Sequence, residues 1–229
     1  MAKINLFNKN YLECDDVKFD LIFTDIPYNI GKDAYASNPR WWNNGDYKNG
    51  KSEKADSMFF ETDANFNIYE WIDWCYNHLK DDGKVISFVS IQQLSALIMD
   101  HRKFKKYTPL IFIKNNSSEV LKANMRIVNA CEYGIILYKN KLGYFNNNGK
   151  MIKNYFNFKN ETHKIHPNQK PIDLCKQILQ LYTDADSLVC DCCMGSGNIL
   201  KACKELNINC YGFEIDSCMF EKAKLNIGD

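Results

Sequence analysis

No run of apolar residues in this chain approaches the roughly eighteen that mark a bilayer span, and no charged-then-apolar segment opens it. Neither a membrane span nor a secretory leader is therefore expected, and the expected location is cytoplasmic. An excess of one charge sign is missing too: 29 Lys and Arg face 28 Asp and Glu, a net of +1. Overall charge thus selects no nucleic-acid partner, and any basic surface must come from local clustering. Ten cysteines are present, but they are scattered, the chain is not small, and Cys190, Cys192 and Cys193 have no second pair at zinc-finger spacing. Reduced thiols and no metal site are expected. No repeat is evident. With 45% hydrophobic and 25% charged residues over 229 positions, what remains is a globular α/β domain spanning 1–229, with insertions.

The most informative stretch is Asp25-Ile26-Pro27-Tyr28. Before it, Phe19 to Thr24 (FDLIFT) is an apolar run that reads as a parallel-sheet strand ending in a loop. Ligands of open α/β sheets bind at such carboxyl ends. Pro27 holds the loop in one shape and leaves nearby carbonyls free to accept. Asp25 and a loop carbonyl could then take the two N–H groups of an exocyclic amine, with Tyr28 stacked on a flat ring. An ordinary strand followed by a proline turn fits the same four letters, so the reading depends on what lies further along.

Lys3 to Phe7 reads as a first strand. Residues 31–66, rich in Asn, Gly, Lys and aromatics, lack periodicity, as a mobile lid or a surface insertion would. Ile68, Trp71, Ile72, Cys75 and Leu79 recur at helical spacing, and Asp81-Asp82-Gly83 should end that helix before a strand at Val85–Val89. A helix at Leu94–Met99 and strands at Leu110–Ile113 and Tyr133–Tyr138 follow. From Lys139 to Lys170 seven lysines face one acid, Glu161, interleaved with Tyr144, Phe145, Tyr155, Phe156 and Phe158. Lysines for phosphates and rings for bases make 139–165 the best nucleic-acid segment, although a solvated hairpin with buried rings has the same composition. Lys139, Lys141, Lys150, Lys153 and Lys159 are its candidate contacts, with Lys32 and Arg40 from the earlier loop.

Behind Pro171 an amphipathic helix runs through Tyr182. Next come a strand at Leu188–Cys190, the run Asp191-Cys192-Cys193-Met194-Gly195-Ser196-Gly197-Asn198, a helix, and a strand at Cys210–Phe213 ending at Glu214. Glu214 stands twenty-three residues beyond Asp191, close to where an acid takes ribose hydroxyls in nucleoside-binding β-α-β units. Leu200 occupies the place of a dinucleotide fingerprint's third glycine, and no Walker lysine follows the loop. Both features disfavour phosphate-rich cofactors and fit S-adenosylmethionine better.

These residues together resemble the amino-group DNA methyltransferases of the permuted class, in which the catalytic motif precedes the cofactor motif. Asp25-Ile26-Pro27-Tyr28 resembles D-P-P-Y, with Ile26 in place of the first proline, and His166-Pro167-Asn168-Gln169-Lys170-Pro171 matches H-P-x-x-K-P. The Asp191 to Asn198 run approximates D-P-F-x-G-S-G-T, with Cys192, Cys193 and Asn198 replacing Pro, Phe and Thr. Lys114-Asn115-Asn116 and Glu132-Tyr133 also stand in the family's order. The resemblance implies a circularly permuted Rossmann-like methyltransferase fold, its central sheet mostly parallel with helices on both faces, and Lys3–Phe7 as its third strand. It implies S-adenosylmethionine as cofactor and double-stranded DNA as partner, and leaves a homodimer open. Catalysis falls to Asp25, Pro27 and Tyr28. Cofactor contacts fall to Asp25, Lys170 (at the methionine end), Asp191, Met194, Gly195, Ser196, Gly197, Asn198, Glu214 and Ile215. An aspartate at the first motif position implies N6 of adenine as target. N4 of cytosine, and a degenerate binding protein without activity, are the alternatives.

Overall fold

The computed structural model describes residues 2–29, 65–115, 127, 129–159 and 169–228. Its strands are β1 (Ile4–Phe7), β2 (Phe19–Asp25), β3 (Leu79–Val89), β4 (Lys106–Lys114), β5 (Cys131–Tyr138), β6 (Tyr155–Phe158), β7 (Leu188–Asp191) and β8 (Asn209–Phe213). They form one sheet in the order β1-β8-β7-β2-β3-β5-β4-β6. β5 runs against both of its neighbours, and the other pairings are parallel. β1 pairs with β8 at one edge, so the first strand of the chain lies beside the last. This is the permuted order, and Lys3–Phe7 takes the place the resemblance gave it.

The helices are α1 (Ile68–His78), α2 (Ile91–Met99), α3 (Ile172–Tyr182), α4 (Asn198–Glu205) and α5 (Ser217–Ile227). Strand alternation sends successive side chains to opposite faces. Val85 and Val89 of β3 join Ile135 and Leu137 under α1 and α2, where Trp71, Ile72 and Cys75 are buried. Ile86 and Phe88 join Ile136 on the other face, under Leu174, Ile178, Leu200 and Ala223 of α3, α4 and α5. The sheet is thus buried on both sides, as near-continuous apolar strands require.

Three local readings change. The first helix stops at His78, and Leu79 already belongs to β3. Phe19 pairs with Leu79 but Leu21 with Lys84, so Asp81-Asp82-Gly83 bulges out of the ladder instead of capping a helix. The second helix starts at Ile91, where Ser90 and Gln93 form a reciprocal capping box. Third, the lysine-rich segment contains β6. Phe156 and Phe158 turn into the core while Tyr155 stays exposed, so two of the rings expected to meet bases pack the sheet instead.

Chain direction along the sheet reverses between β7 and β2. From β7 the path leads through α4 to β8, and from β2 through α1 to β3, on the other side. Crevices outside such switch points hold ligands in open α/β sheets. Asp191 and Asp25 end the two strands that flank this one.

Candidate active site

A cleft of about 570 Å³ opens at that switch point, and Asp25, Tyr28, Lys170, Asp191, Gly195 and Glu214 are among its walls. Segments from opposite ends of the chain therefore share one cavity. Thr24 joins them: its hydroxyl donates to Asp191 Oδ1 across 2.8 Å, linking the catalytic strand to the cofactor strand.

The Asp25 loop is held from several sides. Ile26, lacking the proline ring, buries its side chain on the α1 face of the sheet. Gln93 Nε2 donates to the Pro27 carbonyl at 2.7 Å. The loop carbonyl expected to take a substrate amine could belong to Ile26 or Pro27; that of Pro27 already accepts from Gln93, which favours that of Ile26. Asn29, at φ 57°, exchanges two hydrogen bonds with the Phe66 backbone, of 2.8 and 2.9 Å. Residues 30–64, including Lys32, Arg40 and nearly all of the expected lid, lie outside the described residues, as does His166-Pro167-Asn168.

Asp25 Oδ2 meets Lys170 Nζ at 2.7 Å, while Oδ1 is shielded from solvent and has no hydrogen-bond partner among the described residues. Burial pushes this carboxyl above its ordinary value, against the pull of Lys170. The same ammonium donates to Tyr28 Oη at 3.1 Å and lies 5.3 Å from the centre of the Tyr28 ring. Lys170 was expected at the methionine end of a cofactor; its ammonium is instead turned onto the catalytic motif.

On the other wall, Gly195 has φ 49°, and a Cβ built on it meets nothing within 4 Å among the described residues. A tight left-handed turn beside open space lets a ligand approach the backbone. Glu214 supports that turn, accepting from the Gly195 N–H at 3.0 Å and the Asp216 N–H at 2.9 Å, with acceptor capacity left for hydroxyls. Burial raises its carboxyl. Ser196, Met194 and the exposed Ile215 also line the cleft. Gly197, expected as a cofactor contact, has φ 78°, and a Cβ there would lie 2.8 Å from Ile227 Cδ1, so the packing of α4 on α5 also needs a glycine here. Asn198 lines the cleft too, yet its amide is engaged with the Lys170 carbonyl and Asn226, both at 2.8 Å.

A family model described as DNA methylase, of the N6 and N4 type, matches residues 19–225. The chain belongs to this family. It is 24% identical over 235 residues to the type II methyltransferase M.HpaI of Haemophilus parainfluenzae, an alignment covering 92% of this chain and 68% of that protein. A shorter match, to M1.MboII of Moraxella bovis, is 32% identical over 103 residues, covering 40% of this chain and 39% of the relative. Among solved structures, the M1.HpyAVI–SAM complex superposes with a TM-score of 0.73 at 23% identity, covering 97% of this chain and 98% of that one. The cytosine-N4-specific PvuII DNA methyltransferase superposes with a TM-score of 0.68 at 14% identity, covering 99% and 86%. Both share the fold.

In this DNA methylase two of the expected DNA contacts lie away from the cleft. Because β5 is antiparallel, its end at Tyr138 lies beside Lys84, at the rim opposite Asp25. Lys139 there donates to the Leu79 carbonyl at 2.7 Å and Lys141 pairs with Asp81 at 3.0 Å, so both brace the bulge of β3. Lys150 sits in the turn after Asn147, and Lys153 lies beside Tyr155. Lys159 follows β6, which ends level with Lys114 on the Asp25 rim. Sequence reading passed over Gln93 as the holder of Pro27, although the Ser90-x-x-Gln93 capping signature was there to be found. It also placed no role on Glu132 or Lys114, which carry part of the charge around Asp25.

Asp191 makes one pH prediction. Burial raises its carboxyl to about 7, against hydrogen bonds from Thr24 and the Cys193 N–H. An unfolded aspartate ionises near about 4, so wild-type stability falls as pH rises through that window and levels off above it. Asp191→Asn does not titrate. Its melting temperature relative to wild type is expected to climb between pH 5 and pH 8; a difference independent of pH would contradict the buried-acid assignment.

Proposed function

We propose that this DNA methylase transfers the methyl group of S-adenosylmethionine to the exocyclic N6 of an adenine flipped out of DNA. One observation carries the reading: a partly buried carboxylate, Asp25, whose Oδ1 has no hydrogen-bond partner among the described residues, shares a cleft with the Gly195–Glu214 turn. When bound, S-adenosylmethionine supplies a methyl carbon made electrophilic by its sulfonium. The chain's own residues do the rest by position and charge. Glu214 takes ribose hydroxyls, and Gly195 lets the nucleoside approach. An adenine amine is a weak nucleophile because its lone pair is delocalised into the ring. Asp25 and the Ile26 carbonyl each accept one N–H, turning the lone pair out of the ring plane and toward the donor. Asp25, already accepting from the amine, takes the proton it then sheds. Tyr28 stacks on the base, which has left the duplex at a cost of about a few kcal/mol.

The test is methylation of a random double-stranded DNA library, followed by digestion to nucleosides. N6-methyladenine is the expected product. N4-methylcytosine would overturn the choice of base, and bound S-adenosylmethionine without methylated DNA would favour the degenerate binding protein.

A further inference from the structure

Charges of alternating sign run inward from Asp25 along the sheet rim. Asp25 Oδ2 contacts Lys170 Nζ at 2.7 Å, Lys170 Nζ lies 3.3 Å from Glu132 Oε2, and Glu132 Oε1 meets Lys114 Nζ at 2.7 Å. The chain joins β2, the segment before α3, β5 and β4. Its register is set by the sheet: Glu132 faces Phe112 across the ladder, which places Lys114 diagonally two residues on, within reach on the same face. The links are covered, with 6% of the Lys170 side chain exposed and 19% of each of Glu132 and Lys114, so their Coulomb coupling is screened far less than at a surface. The Phe88 ring lies 4.9 Å from the Lys170 ammonium and leaves it on its aromatic side.

From this geometry we infer that Glu132 is a positioning residue for methyl transfer: backed by Lys114, it holds the Lys170 ammonium between two carboxylates, so that Asp25 is oriented without being fully neutralised. The inference rests on the proposed role of Asp25 as the amine acceptor. An ammonium paired with Asp25 alone would sit tightly on it and weaken it as an acceptor, whereas one shared with Glu132 leaves acceptor strength for the substrate N–H. The electrostatics agree. Burial would raise Glu132, yet Lys170 and Lys114 outweigh it and bring the carboxyl down to about 2, so Glu132 stays anionic throughout the working range. The groups facing Asp25 are Lys170, Glu132, Tyr28 and, across the switch point, Asp191.

Because the signs alternate, neighbouring links predict opposite effects. Glu132→Gln removes a negative charge and leaves Asp25 as the carboxylate facing Lys170. Lys114→Gln removes a positive one, frees Glu132 and draws Lys170 away. The experiment follows the Asp25 carboxyl carbon by NMR against pH in wild type and both variants, alongside single-turnover methyl transfer to DNA and calorimetry with S-adenosylmethionine. Expected are a downward move of the Asp25 midpoint in Glu132→Gln and an upward one in Lys114→Gln. The transfer rate in Glu132→Gln should fall roughly tenfold or more, as loss of a charge-assisted contact implies, while affinity for S-adenosylmethionine stays within about threefold of wild type. Midpoints that move together, or not at all, would overturn the proposal, as would a loss confined to cofactor affinity. Should wild type methylate no DNA, the functional reading fails separately, because the carboxyl titration still reports the relay; Lys114→Gln serves if Glu132→Gln does not fold.

Discussion

Asp25→Ala is expected to slow methyl transfer by about 10²- to 10⁴-fold, the range lost with a positioned acid–base or polar group at a reacting centre, while S-adenosylmethionine binds with nearly unchanged affinity. The separation follows from the cleft. Asp25 ends β2 at the catalytic loop, whereas the turn expected to take the nucleoside is built by Gly195 and Glu214, which follow β7 and β8. Removing the carboxylate should not unfold the protein. Lys170 keeps a second carboxylate in Glu132, and the variant sheds a buried oxygen that has no partner among the described residues. Single-turnover transfer to DNA and calorimetry, run side by side, check both halves. A variant retaining more than half of the wild-type rate would remove Asp25 from the chemistry, and one that lost binding as well as rate would make it a structural support.

Glu214→Ala is expected to weaken S-adenosylmethionine by about 10- to 100-fold, corresponding to the roughly 1.5–3 kcal/mol of hydrogen bonds to a charged group. Two effects add. The ribose hydroxyls lose their acceptor, and the Gly195 N–H loses the 3.0 Å bond that holds the left-handed turn open to the ligand. Glu214→Gln separates them: it keeps an acceptor for one N–H but lacks the charge, so it should fall between wild type and the alanine variant. Calorimetry reads the affinities directly. At saturating donor the transfer rate should recover in both variants, because neither touches the Asp25 loop; a rate that stayed low would shift Glu214 from binding to chemistry.

The elements that could be read without coordinates were those signalled by neighbours in sequence. The apolar run before Asp25, the glycine-bearing turn after Asp191 and the acid closing β8 each combine a strand with a terminating loop, and the strand period and turn residues suffice to locate them. Where a signal was local but ambiguous, the surroundings chose. Asp81-Asp82-Gly83 punctuates the chain at the expected place, yet as a bulge in a ladder, because β2 supplies a partner for Leu79. Gly197 has the turn conformation its letters implied, but its missing Cβ makes room for Ile227, a residue thirty positions away.

The chemistry of a DNA methylase was therefore written in the order of its motifs, and so was the permuted sheet that brings the first strand beside the last. What the letters could not contain was direction and register. An antiparallel β5 carries Lys139 and Lys141 to the rim away from Asp25, and the pairing of β6 with β4 turns two rings of the basic segment into the core. The pairing of β4 with β5 sets Lys114 against Glu132, and the fold brings Lys170 onto Asp25. Turn and strand preferences act over a few residues, whereas an ion pair depends on which side chains the packed sheet brings within a few ångströms, and only the tertiary structure decides that.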